Sequence, residues 1–236
     1  MSRLLQRVRC VSFDVWNTLL DLPAAYNVFI NELSAATGSP RSRVERALRE
    51  AGAAIRRVRA QGGHVDPSEA QRTLADHLDA SVEAVRRAVA LAFARLRSGI
   101  ASASARRVLA DVRALGLKVA VASNVMWWPG SYTRLVLARE GIVEMLDAAI
   151  FADEAGYSKP NPHFFAAVAD ALGCSVAELL HVGDRVDEDF GVALAAGAYA
   201  VLVGSVTRGP VEVHPRAYAV EKLEEVVEVV RRLAGR

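Results

Sequence analysis

Two cysteines in 236 residues, three lysines among 29 basic side chains and no long uncharged apolar run set the first limits on this sequence. Arg113, Lys118, Arg134 and Arg139 interrupt the most apolar stretches before they reach the ~18 residues of a membrane span. Asp14 cuts short the apolar segment behind Arg3, Arg7 and Arg9, so the expectation is a chain that is neither secreted nor membrane-inserted. Cys10 and Cys174 form no CxxC or Cys/His cluster and lie in apolar segments, which predicts free buried thiols in a reducing cytoplasm. The net charge of +2 lacks the basic excess that nucleic acid demands. His64, His77, His163, His181 and His214 show no metal-ligand spacing. The expected partner is a small molecule, with no nucleic acid and no membrane.

The scarcity of lysine makes Lys159 conspicuous. A chain that writes arginine by default and lysine there points to a need for a compact ammonium.

Composition is that of a globular protein, with 52% apolar and 24% charged residues. Arg9–Asp14 reads as a first strand. Residues 24–98 then read as helices only. Val44, Leu48, Ala51, Ile55 and Val58 keep a 3.6-residue period, as do Val82, Val85, Val89, Phe93 and Leu96. Asp66-Pro67 and Ser81 are helix-start signals. Beyond residue 100, apolar strands at 117–122, 148–151, 179–182, 200–203 and 217–220 alternate with helices. This pattern predicts an α/β fold, a doubly wound parallel sheet covered on both faces. Residues 1–21 and 100–236 form its core, and 22–99 form an all-helical insertion of about four helices.

In such sheets ligands bind beyond the carboxyl ends of the strands. Asp14, Ser123-Asn124 and Asp184 end three strands, and Lys159 lies in the loop after a fourth. Those types suit phosphoryl transfer. A carboxylate attacks phosphorus, a second carboxylate lets Mg²⁺ sit beside it, and an ammonium and a hydroxyl balance charge on the transferring group.

Phe13-Asp-Val-Trp-Asn-Thr-Leu19, Val121-Ala-Ser-Asn124, Tyr157-Ser-Lys-Pro-Asn-Pro162 and His181-Val-Gly-Asp-Arg-Val-Asp-Glu-Asp189 resemble the four ordered motifs of the haloacid dehalogenase superfamily. The resemblance covers nearly the whole chain and implies a Rossmann-like core with a helical cap over the site. It implies Asp14 as nucleophile, with Ser123 and Lys159 binding the transferring group. It implies Mg²⁺ held by Asp14, the Trp16 backbone carbonyl and Asp184. Asp189 either joins the metal or fixes Lys159. Thr18, Asn124, Trp16 and Trp128 are the expected substrate-side residues, Thr18 by supporting the first loop. Asp187 and Glu188 are expected to be solvated.

One position departs from the superfamily's phosphatases. Two residues after the nucleophile they carry an aspartate that protonates the leaving group, and here Trp16 stands there. The dehalogenase branch also has an aromatic residue at this place but uncharged side chains where this chain has Asp184. Asp184 favours a Mg²⁺-dependent phosphatase on a phosphorylated or otherwise anionic small molecule, weakened by Trp16 in place of the acid; the alternatives are a metal-free 2-haloacid dehalogenase and a catalytically weak binding or regulatory protein.

Trp127 and Trp128 follow the second motif and are expected either between core and cap or as an apolar wall for the leaving group. His181 is expected as a hydrogen-bonded core residue and His163 as a surface or capping one. The helical insertion carries twelve arginines against eight acids. Most are expected on solvated faces, one or two against an anionic substrate.

Overall fold

A computed structural model describes residues 7–235. Residues 1–6 and 236, part of the expected core and including Arg3, lie outside the described residues.

Seven strands form one sheet: β1 (Cys10–Phe13), β2 (Lys118–Ser123), β3 (Ala148–Phe151), β4 (Leu179–Gly183), β5 (Tyr199–Val203), β6 (Val211–His214) and β7 (Ala217–Val220). Their order is β3-β2-β1-β4-β5-β7-β6. All neighbours are parallel except β6 with β7. The central strands are short runs of valine, alanine and leucine buried on both faces, as a sheet covered by helices requires. The chain leaves β1 for β2 on one side and later returns to β4 on the other. The carboxyl end of β1 is therefore the switch point of the sheet, where a crevice opens. The predicted α/β class holds. Strand β6 adds to the predicted set: all its side chains are exposed, so no buried face marks it in sequence.

Four helices separate β1 from the rest: α1 (Leu22–Thr37), α2 (Arg41–Ala60), α3 (Pro67–Leu78) and α4 (Val82–Arg95). Asp21 caps α1, and Asp66 and Ser81 cap α3 and α4 as their positions predict, each accepting from backbone N–H groups of the first turn. Helix α1 packs against α4 and α2 against α3. The two connectors to this segment run side by side, with Asp21 N–H donating to the Ile100 carbonyl at 2.8 Å and Ser102 N–H to that of Leu19 at 2.8 Å. The remaining helices are α5 (Ala105–Ala114), α6 (Gly130–Arg139), α7 (Ala152–Ala155), α8 (Pro162–Leu172), α9 (Gly191–Ala195) and α10 (Val226–Ala234). No helix among the described residues is long and apolar enough to cross a membrane.

Two expectations need correction. The apolar period puts Val58 at the end of the α2 stripe, yet Val58 is 42% exposed while Arg59 is 3% exposed. The stripe Leu48, Ala51, Ile55 continues four residues on, at Arg59. The cysteines are not free: Cys10, at the start of β1, is disulfide-bonded to Cys174, just past α8, with Cα atoms 6.6 Å apart. Helix α8 packs against β1 and brings together residues 164 positions apart, a proximity that no sequence spacing encodes. The pairing removes the redox argument for a reducing compartment.

Candidate active site

Strand β1 delivers Asp14 to the crevice, its N–H still on the ladder to the Val182 carbonyl at 2.8 Å. The next turn closes on itself: Leu19 and Leu20 N–H both donate to the Val15 carbonyl, and Asn17 takes a left-handed φ of 63° that asparagine tolerates. Beside it, β2 ends in buried Ser123, whose hydroxyl donates to the Asn124 carbonyl at 3.2 Å.

Lys159 is fully buried between two carboxylates. Its Nζ donates to Asp14 Oδ1 at 2.7 Å, to Asp189 Oδ1 and to the Ala122 carbonyl at 3.0 Å. Three donors meet three acceptors, so the ammonium is satisfied without water. Asn124 sets the height of this loop: its side-chain amide accepts from the Lys159 N–H and donates to the Lys159 carbonyl, both at 2.9 Å. Asn124 thus grips the lysine backbone as a neighbouring strand would.

Asp189 is held from three sides. Oδ1 accepts from Lys159 and from His181 Nε2 at 3.1 Å, and Oδ2 accepts from the Arg185 N–H at 3.1 Å. Because Asp189 can only accept, the His181 proton sits on Nε2, and Nδ1 accepts from the Ser12 hydroxyl at 2.9 Å. The predicted core role of His181 holds, with an added function: it ties the Lys159–Asp189 pair to β1. Residues 186–190 form one π-helical turn that swings Asp189 back toward β4. Only glycine fits opposite it, since a Cβ on Gly183 would lie 2.3 Å from Asp189 Cγ.

The charges interlock. Burial opposes ionisation of Lys159, but Asp14 and Asp189 outweigh it and hold the ammonium above the ordinary lysine range. Burial likewise opposes Asp189, yet Lys159 and His181 hold its carboxyl below the usual carboxylate range. Asp14 goes the other way: burial pushes it up to about 7 against the pull of Lys159, with Asp189 and Asp184 adding to the rise. Burial and Asp189 also raise Asp184. A carboxylate oxygen of each of Asp14, Asp184 and Asp189 lies within 4.8 Å of the others. An oxygen-only set with one unneutralised member fits a hard divalent cation.

A cavity of about 160 Å³ opens over Asp14. Ser123, Asn124, Asp184 and Asp189 line its floor, with Trp16, Trp127 and Trp128 in the walls, and the helical segment contributes Leu22, Tyr26, Arg56 and Arg59. Trp128 sits where the core meets the helical segment. It packs edge-on against Trp16, Tyr26, Phe29 and Phe93 at 5.1–5.8 Å between ring centres, and it also walls the cavity. Thr18 does not line the cavity: its hydroxyl is buried without a hydrogen-bond partner, and the residue lines a separate cleft by the connectors.

Asp187 is solvated as expected, but Glu188 is not. Its side chain is 17% exposed, accepts from Asn124 Nδ2 at 3.0 Å and lines the cavity, because the π-helical turn rotates it inward. Sequence reasoning also leaves Arg56, Arg59 and Tyr26 unassigned. Arg59 carries a signal, a lone charge on an apolar helix stripe. His163 is exposed at the start of α8, as expected.

A profile of haloacid dehalogenase-like hydrolases matches residues 8–197. The chain belongs to that family. Among curated relatives of this hydrolase is the glyceraldehyde 3-phosphate phosphatase of Methanocaldococcus jannaschii, 29% identical over 131 residues, which are 54% of this chain and 55% of that one. The match thus spans about half the length of the relative. Two solved structures share the fold. The magnesium-bound HAD-hydrolase YfnB of Bacillus subtilis has a TM-score of 0.73 at 16% identity, covering 95% of this chain and 99% of that one. The L-2-haloacid dehalogenase of Xanthobacter autotrophicus, with chloropropionic acid covalently bound, has a TM-score of 0.70 at 22% identity, covering 95% and 98%. The likeness to a dehalogenase is one of fold. What this hydrolase attacks must be argued from its own side chains.

Proposed function

We propose that this hydrolase is a Mg²⁺-dependent phosphatase acting on a small phosphorylated molecule in the cytoplasm through a phosphorylated Asp14, with residues 22–99 acting as a cap. The observation that carries the reading is Asp184 beside Asp14, with carboxylate oxygens within 4.8 Å. An anionic substrate entering over those two acids meets repulsion unless a cation stands between them. Bound Mg²⁺, held by Asp14, Asp184 and the Trp16 carbonyl, would neutralise charge on the phosphoryl oxygens.

In this reading Asp14 Oδ2 attacks phosphorus as the bond from phosphorus to the leaving-group oxygen breaks, water then hydrolyses the aspartyl phosphate to free phosphate and Asp14, and Oδ1 stays on Lys159, which keeps the carboxylate oriented. Ser123 takes one equatorial phosphoryl oxygen, and Lys159 takes another by giving up its bond to the Ala122 carbonyl while keeping those to Asp14 and Asp189. Asp189 is engaged by Lys159, His181 and the Arg185 N–H, so its part is to position the ammonium, and its carboxylate would add negative charge beside a bound cation. Asn124 serves by holding the Lys159 loop. The relative named as a glyceraldehyde 3-phosphate phosphatase supports a small phosphoester as substrate.

Trp16 favours a second reading, attack on carbon with loss of halide, which needs no acid. One assay separates the two. Phosphate release from an aryl phosphate should require Mg²⁺ and stop in chelator. Halide release from a 2-haloacid that continues in chelator would overturn the phosphatase reading.

A further inference from the structure

Five charged residues of the described chain are buried: Asp14, Glu32, Arg59, Lys159 and Asp189. Four stand in ion pairs, Asp14 and Asp189 with Lys159 and Glu32 with Arg95. Arg59 is the exception among the described residues. Its Nη2 donates to the Val125 carbonyl, which supplies no countercharge, and its Nε–H is buried with no partner. Burial lowers its pKa, and the carboxylate of Glu188 opposes that from beyond ion-pair distance. A buried guanidinium without a countercharge is costly to the fold, and an anion bound beside it would offset that cost.

What surrounds Arg59 points to a ligand. It lines the cavity over Asp14, with Arg56 one turn earlier on α2 and Tyr26 on α1. The Tyr26 hydroxyl oxygen already accepts from Trp127 Nε1 at 2.6 Å, so its own proton is free to donate. Every charged side chain that the helical segment sends to the cavity is an arginine, whereas the rest of the lining carries four acids, Asp14, Asp184, Glu188 and Asp189, and one base, Arg185. Trp16, Trp127 and Trp128 add apolar surface to the lining. The cavity thus offers groups for a second anion in addition to those proposed for a phosphoryl group.

We infer that Arg59, with Arg56 and the Tyr26 hydroxyl, forms a subsite for a carboxylate on the leaving group, so that the substrate is a small phosphorylated molecule whose leaving group carries a carboxylate. The inference rests on the phosphatase reading for the floor of the cavity and adds the chemistry of the leaving group. A planar guanidinium fork matches a carboxylate.

Calorimetric titration with two inert ligands tests this without turnover. 3-Phosphonopropionate carries a phosphonate and a carboxylate; propylphosphonate lacks the carboxylate. Both are titrated with Mg²⁺ present. The wild-type protein should bind the first about 10-fold or more tightly than the second, as a charge-assisted contact implies. Arg59→Gln should bring that ratio to within about threefold of one, and Arg56→Gln should lower it by a smaller factor. Arg56 is exposed, so its variant reads the subsite even if Arg59→Gln fails to fold. Equal affinities in the wild type, no binding of either ligand, or a ratio unchanged in both variants would overturn the subsite. Failure of the phosphatase reading appears separately, as absence of Mg²⁺-dependent phosphate release.

Discussion

Asp14→Asn should lower phosphate release from an aryl phosphate by about 10⁴-fold or more, because the step then lacks its nucleophile and nothing nearby replaces it. The other acids of the crevice are committed elsewhere: Asp189 has both oxygens engaged, and Asp184 stands on the metal side of the proposed site. The substitution keeps the shape of the side chain and an acceptor for Lys159. It also removes a carboxyl whose ionisation burial makes costly, with a pKa pushed up to about 7. An acid with a raised folded-state pKa binds more protons folded than unfolded, so it weakens the fold as pH climbs from the ordinary carboxylate range toward 7. The dead variant should therefore be at least as stable as the wild type at neutral pH without metal. Residual activity within about tenfold of the wild type would move the nucleophile away from Asp14.

Trp16→Asp should do the opposite for poor leaving groups. An alkoxide must be protonated as it departs, and general acid assistance contributes about 10²–10⁴-fold. The wild type has only an indole N–H at this place, a weak donor, so its activity should favour aryl and acyl phosphates. With a carboxyl in place of the indole, the alkyl-to-aryl rate ratio should rise by about 10²-fold. The change also opens space, since Trp16 is 8% exposed and packs on Trp128 at 5.5 Å between ring centres. Trp16→Asn opens the same space without a proton to give. If Asn raises the ratio as much as Asp does, access rather than acid catalysis limits the wild type.

Much of this site is legible in the order of residues along the chain. Asp14, Ser123, Asn124 and Asp184 are single polar groups at the ends of apolar strands, and a parallel sheet aims all its strand ends at one edge. Lys159 stands out by type. What stays hidden depends on reach and rotation. Arg59 crosses to the cavity from α2 on a long side chain, and it is one arginine among the twelve of its segment. The lone charge on an apolar stripe is the available signal, and ending the stripe at Val58 conceals it. Glu188 faces inward because one turn is π-helical, and an α-helical count places it in solvent. His181 reads as a core residue because its partners, Ser12 and Asp189, lie on the next strand and beyond the next turn. Thr18 is placed at the site by its motif position alone, and in the turn after β1 it lines a neighbouring cleft instead.

The central proposition is that Asp14 takes the phosphoryl group covalently. Without an aspartate at position 16 to activate water, the second half of the reaction should be the slower, and the phosphorylated enzyme should accumulate. The direct measurement is to mix the protein with Mg²⁺ and a labelled aryl or acyl phosphate, quench in acid, digest and map the label by mass spectrometry. The account requires label on the peptide containing Asp14, at a sizeable fraction of one per chain, and none in Asp14→Asn. Phosphate release without label on that peptide, or an ester formed there from a 2-haloacid in chelator, would contradict it.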